Sequence, residues 1–330
     1  MNLETKYLGL DIKNPVIAGA SILTEDLANL KAMEKAGAGA VVLGSLFEEQ
    51  VIEEENMLDH FFSGSSESFA EAVTYFPRLG EYRSGPEQYL DFIRKAKGAL
   101  SIPVIASLNG VSTGGWVKIA GEIEKAGADA LELNIYFIPT RLDQSSEQIE
   151  SVYIDTVRSV KRSVKIPVAV KVSPYFSNFA NMAGKLHDAG ADGLVLFNRF
   201  YQPDFNIDDL YVEPRLTFSS SSSLGLTLRW IAILHGRIDV DFSATNGVHT
   251  SQDVIKAIMA GANSVQVCAA LYKNGVDYIK DLVDGLSSYL SRKGYGGVGE
   301  LKGILSQKEC AAPDAFERAN YIKTLIGFRN

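Results

Sequence analysis

The phrase Ala-Gly-Ala recurs at the same structural punctuation in "KAGAGAVVL" (35–43), "KAGADALEL" (125–133), "DAGADGLVL" (188–196) and "MAGANSVQV" (259–267). Each copy ends an amphipathic stretch and enters a short, continuous apolar run. Gly37, Gly127, Gly190 and Gly261 suit the left-handed residue that closes a helix. The alanine after each lets the chain turn tightly into a strand. A second phrase, "IPV" at 102–104 and 166–168, opens strands after helices that end near Leu100 and Val164.

These signals predict strands near 15–21, 40–45, 103–109, 130–135, 168–173, 193–198, 239–245 and 264–269. Helices are expected near 25–36, 86–99, 114–126, 147–163, 177–189, 225–235, 251–260 and 276–291. Continuous apolar strands are what parallel strands covered on both faces require. Eight such units predict an α/β fold of the (β/α)8 TIM-barrel class, built as a single domain over 1–330 with its core at about 15–293. A doubly wound sheet is the alternative, but no G-x-G-x-x-G follows the first strand. Residues 46–85 and 199–224 are insertions after the second and sixth strands, and 294–330 is a C-terminal extension. The serine run closing the second insertion, "FSSSSSLG", reads as a flexible loop or, on this face, as a lid.

Of the 330 residues, 46% are hydrophobic and 22% charged, as in ordinary globular proteins. The net charge of −8, with no offsetting Lys/Arg cluster, argues against a nucleic-acid partner. Two cysteines, Cys268 and Cys310, make no disulfide framework, so a reduced compartment is expected. The N-terminus has no apolar signal core and no stretch approaches a membrane span, which predicts a cytoplasmic protein. No His/Cys/carboxylate cluster has metal-ligand spacing, and no metal is expected.

Barrel active sites form at strand C-termini. There the sequence puts Asn109, Asn134, Asn198 and Asn246, joined by Lys171. One such asparagine is ordinary turn chemistry. Four of them suit a flat heterocycle edged with alternating donors and acceptors. A lysine in a barrel strand is costly unless it meets an anion or electron-rich acceptor. "TNGVHT" and "VCAALYKNG" put small residues before the last two helices, where backbone N–H groups form the usual barrel phosphate site. Close helix–strand packing explains either motif alone equally well. His249 on the same turn could serve as an acid or base, although a histidine there is more often structural.

Taken together these residues resemble the dihydroorotate dehydrogenases, especially the soluble class 1 enzymes. "IPVAVKVSPYF" (166–176) is similar to that family's KxxPYF strand. "NPVIAGAS", "SLNG", "LELN", "FN", "NGV" and "AAL" follow in the family's order through nearly the whole barrel. The resemblance implies one FMN across the mouth. Ala18, Gly19, Ala20 and Ser21 would back the flavin, with Ser45 beside it. Asn109 and Asn134 would bond its pyrimidine side, and Lys171 would face N1/O2. Asn246, Gly247, Val248, Cys268, Ala269 and Ala270 would hold the phosphate end. Asn134 and Asn198 match asparagines on the substrate side, and with Lys171 they are the implied catalytic set.

The departures are equally specific. The family's strand-4 motif is N-x-S-C-P-N, whose cysteine removes a proton as hydride passes to flavin. Here the stretch reads Asn134-Ile-Tyr-Phe-Ile-Pro139, with Phe137 at the base position and Pro139 replacing the second asparagine. Gly44 stands before Ser45 where the family has lysine. The family reading therefore predicts an FMN-dependent oxidoreductase with altered substrate preference or weak dihydroorotate activity, acting on a small molecule and expected as a homodimer. A serine of 219–223 or Tyr136 is a weak substitute base. The alternatives are dihydroorotate oxidation with a relocated base, a flavin-free lyase or isomerase of phosphorylated substrates using Lys171, and a non-catalytic flavin binder. A tRNA dihydrouridine synthase is disfavoured by the acidic balance.

Overall fold

The computed structural model describes residues 1–51, 85–110 and 114–327. Most of the insertion after the second predicted strand lies outside the described residues. The chain opens with an antiparallel hairpin, β1 (Thr5–Tyr7) and β2 (Leu10–Ile12), turning through Leu8 and Gly9 at φ 55° and 72°. Then come β3 (Val16–Ala18), α1 (Leu27–Lys35), β4 (Ala40–Phe47), α2 (Pro86–Ala99), β5 (Val104–Gly110), α3 (Gly114–Lys125), β6 (Ala130–Ile135) and α4 (Ser146–Ser163). β7 (Val168–Val172), α5 (Phe179–Asp188) and β8 (Gly193–Leu196) follow, with a second hairpin, β9 (Pro203–Asn206) and β10 (Tyr211–Pro214). α6 (Leu224–Leu234), β11 (Asp241–Ala244), α7 (Ser251–Ala260), β12 (Ser264–Val267), α8 (Ala269–Asn274) and α9 (Tyr278–Lys293) complete the barrel. α10 (Val298–Leu301) and α11 (Arg318–Gly327) extend it.

Eight parallel strands close in the order β11-β12-β3-β4-β5-β6-β7-β8. The four repeat glycines, at φ 97–120°, take the backbone conformation that glycine tolerates best and turn each helix into its strand. Acids flanking the repeat then fasten the strand heads. Asp129 Oδ2 accepts the Val104 N–H (2.7 Å) and pairs with Lys97 (2.7 Å). Asp192 Oδ2 does the same with Val168 N–H (2.7 Å) and Lys161 (2.5 Å). Glu34 Oε1 accepts from the N–H groups of Ser101 and Ile102, and Glu124 Oε1 from those of Lys165 and Ile166. Each "IPV" strand therefore starts in a carboxylate latch from a neighbouring repeat.

The core has two shells. A large one fills the layer between strands and helices. A smaller one fills the barrel itself, with Ile17, Ala40, Val42, Ile105, Ala130, Ala169 and Val195. Tyr7, Leu8 and Ile12 of the first hairpin join that inner cluster and plug the N-terminal end. The segment after α9 is tied to the barrel by backbone bonds from Gly303 to Ile258, Leu305 to Met259 and Gln307 to Ala232. Among the described residues, no helix is long and apolar enough to cross a membrane.

Removing a latch should leave a buried strand N–H without an acceptor, at about 1–3 kcal/mol. Asp129→Ala is expected to lower the urea midpoint accordingly, and Asp192→Ala similarly. Latches at different strands should add within about 0.5 kcal/mol in the double variant. An unchanged midpoint for either would show that the strand head does not depend on the carboxylate.

Candidate active site

The site is built at the strand C-termini, opposite the hairpin plug. Register puts Asn109 of β5 beside Asn134 of β6, and Asn134 beside Lys171 of β7. In-register neighbours share a face, so these three form one row across adjacent strands. Asn198, two residues past β8, donates through Nδ2 to Asn134 Oδ1 (2.6 Å). That bond leaves the Asn134 amide nitrogen and the Asn198 oxygen facing other partners. Asn246 stands apart from the row. At φ 63° on the turn after β11, it accepts from Arg199 Nη1 at 3.4 Å, while Arg199 Nε donates to the Thr217 carbonyl.

Below this row the interior is polar. Ser45 and Ser107 share a 2.8 Å hydroxyl contact across β4 and β5, where the strand register shifts between Val42 and Ser45. Lys171 Nζ lies 3.3 Å from Glu132 Oε1, and Glu132 Oε2 accepts from Gln266 Nε2 at 2.5 Å. The sequence reading found the lysine and missed both partners. The signal was present: Glu132 is two residues before Asn134, on the same face of its strand.

On the facing side, Ala18 ends β3 and leads into Gly19, Ala20 and Ser21. A side chain at Gly19 would come within 3.3 Å of Gln266 Cβ, so the backbone lies flat against that residue. Ser21 lies near Cys268 and Tyr272. Burial pushes the Cys268 thiol up, against the opposing pull of Lys171 and Ser21. It is a thiol at neutral pH, a poor proton acceptor.

The loop after β11 lies against the serine segment. Gly247, at φ 124°, lies against the Leu224 backbone, where an added Cβ would fall 2.5 Å from the Leu224 nitrogen. The serine segment is fastened here rather than free. Ser219 Oγ lies 3.0 Å from His249 Nε2, and the Ser219 carbonyl accepts from Lys273 Nζ. Ser221 Oγ donates to Asp253 Oδ2 (2.6 Å), which also accepts the N–H groups of His249 and Thr250. Burial pushes the Asp253 carboxyl up, but these bonds outweigh it and hold it below the usual carboxylate range. Burial and then Lys273 lower His249, leaving a neutral ring that braces the loop. The N–H groups of Gly247, Val248, Ala269 and Ala270 meet no acceptor among the described residues, although Gly247, Val248 and Ala270 are buried. Unpaired donors of this kind after β11 and β12 suit an anion.

The stretch after β6 differs from a simple pocket wall. Phe137 packs against the outer core, and Ile138 is exposed. Tyr136 packs on Phe200, with ring centroids 4.3 Å apart and planes tilted by 38°. Tyr175 meets the other side of Phe200 at 5.5 Å. These large side chains hold the second insertion against the rim. At Gly44 an added Cβ would lie 2.6 Å from Glu25 Cγ and Oε1, so no larger residue enters without moving Glu25. Among the described residues no group of three or more His, Cys, Asp or Glu could hold a metal.

Known proteins resemble the chain over the same extent. A catalytic subunit of dihydroorotate dehydrogenase B (NAD(+)) from Methanocaldococcus jannaschii is 28% identical over 88% of this chain and 94% of the relative. Those of Methanothermobacter thermautotrophicus and Pyrococcus abyssi are 25% and 28% identical, each over 92% of this chain and 98% of the relative. The family model described as dihydroorotate dehydrogenase matches residues 2–290, barrel and rim together. The chain belongs to the dihydroorotate dehydrogenase family of flavin-dependent oxidoreductases acting on CH–CH groups.

Proposed function

We propose that the chain binds one FMN and oxidises a small molecule other than dihydroorotate, or dihydroorotate only slowly. The observation that carries this reading is the contrast between the two halves of the mouth. The row Asn109–Asn134–Lys171 and the free N–H groups of Gly247, Val248, Ala269 and Ala270 suit a flavin and its phosphate. Opposite them, Phe137 is engaged with the core, Pro139 offers no amide, and Gly44 is closed in by Glu25.

In this reading Ala18–Ser21 back the ring and Ser45 lies at its edge. Asn109 and Asn134 bond the pyrimidine side, while Asn198 is shared with substrate. Asn246 and Cys268 border the phosphate end. FMN supplies hydride acceptance. Lys171 stabilises the negative charge that develops at N1/O2, as fixed cations do at developing anions. An amine paired with Glu132 serves as a charge rather than a nucleophile, which weighs against a Schiff-base enzyme. The relatives' names mark them as catalytic subunits. The exposed apolar side chains Phe205, Ile207, Leu210 and Tyr211 on the second hairpin support association with another chain, a second copy in the family reading. A cytoplasmic site of action belongs to the same proposal.

Chromatography of heat-released cofactor should find one FMN per chain. FAD alone, or no flavin after incubation with excess FMN, would sink the proposal. Lys171→Ala should keep the fold and either weaken FMN binding or lower its reduction potential, by at least about tenfold in equilibrium, which is 1.4 kcal/mol. Equal affinity and potential would mean that Lys171 does not face the flavin.

Stopped-flow bleaching by dihydroorotate should be slow or absent. General base catalysis is worth ~10²–10⁴ in rate, and a lost hydrogen bond to a buried polar substrate costs about 1–3 kcal/mol more. Phe137→Cys alone should restore little, because residue 139 still lacks an amide. Fast, saturable bleaching of the wild type would show that another residue takes the proton.

A further inference from the structure

Glu132 is a carboxylate with 1% of its side chain exposed, inside the barrel. A buried ion costs several kcal/mol unless paired, and a hydrophobic residue of similar volume is often as stable or more so. Packing alone gives no reason for an acid here. Both of its oxygens are engaged, one with Lys171 and the other with Gln266. β6 and β12 are four places apart in the closed order of eight, so the Glu132–Gln266 bond spans the barrel interior. It does so one layer beneath the row of Asn109, Asn134 and Lys171.

Gln266 is oriented by that contact. A carboxylate only accepts, so the amide must present its nitrogen, and Gln266 Oε1 has no partner among the described residues. An amide that leaves its own oxygen unsatisfied in order to hold an acid is part of a clamp. The ammonium of Lys171 has three donors and gives one to Glu132. Its position at the rim, and the charge felt above it, therefore depend on the acid below.

We propose that Glu132, held by Gln266, is a positioning residue that sets the field of Lys171 at the barrel mouth and, through it, the reduction potential of the flavin. This inference rests on the flavin reading given above. A group at the mouth is nearer the cation than the anion, so it feels a positive field that Glu132 partly cancels. Neutralising Glu132 uncovers the cation and favours the reduced cofactor. Removing the Gln266 donor concentrates the carboxylate charge and does the reverse. The two substitutions are predicted to act with opposite signs, which loosened packing does not explain.

The test measures midpoint potentials of the FMN-loaded full chain against reference dyes, with FMN affinity followed by fluorescence. Glu132→Gln should favour the reduced form about tenfold, a rise of about 30 mV for a two-electron couple. Gln266→Leu should lower the potential by a comparable amount. Unchanged potentials, or shifts of the same sign, overturn the inference while leaving the flavin reading intact. If Glu132→Gln fails to fold, Gln266→Leu decides alone, and an unchanged or raised potential overturns the inference. A wild type that takes up no FMN removes both.

Discussion

Closing eight parallel strands into a barrel leaves each strand head with N–H groups that the ladder cannot satisfy in full, and the carboxylate latches meet that demand. Asp129 and Asp192 reach back to the head of the preceding strand, while Glu34 and Glu124 reach forward to the next "IPV" corner. Lys97 and Lys161 neutralise the two aspartates at the same corners. Buried polar groups are costly unless bonded. The N-terminal end is thereby a structural end, sealed further by Tyr7, Leu8 and Ile12. The C-terminal ends are left to carry chemistry.

This division shows in the barrel interior as a gradient. Around the plug the inward side chains are apolar, as in Ile12, Ile105 and Ala130. Higher up come Ser107, Glu132 and Gln266, then Asn109, Asn134 and Lys171 at the rim. The acid and its amide partner are as buried as the apolar residues below them. Burial pushes the Tyr7 hydroxyl well up, and the charges of Glu132 and Asp241 push it further.

The barrel was largely legible because its helices and strands carry the 3.6-residue and continuous-apolar patterns strongly. The helix predicted at 86–99 spans Pro86–Ala99, and the strand predicted at 130–135 spans Ala130–Ile135. The N-terminal hairpin escaped because its strands are three residues long and its turn places Leu8, not a turn-former, at positive φ. β9 and β10 looked like irregular insertion, although Asn206 Oδ1 caps their turn through the N–H groups of Asp208 and Asp209. α8 has only six residues and ends at Gly275, too short for periodicity to register. At the site, residues at strand ends were readable from position. Long-range partners such as Glu132–Gln266 or Ser219–His249 were not, since nothing local in "LELN" or "SSSSS" specifies what lies across the barrel.

The two sides of the mouth are also held in different ways. The row from Asn109 to Lys171 is fixed by strand register, whereas the main-chain N–H groups of Gly247 and Val248 lie on a turn braced by the serine segment. The stretch Tyr136–Pro139 is different, because it is bound to the second insertion. Tyr136 packs on the Phe200 ring, while Phe137 packs against the outer core. The stretch 136–139 and residues 199–201 are therefore packed together at the rim.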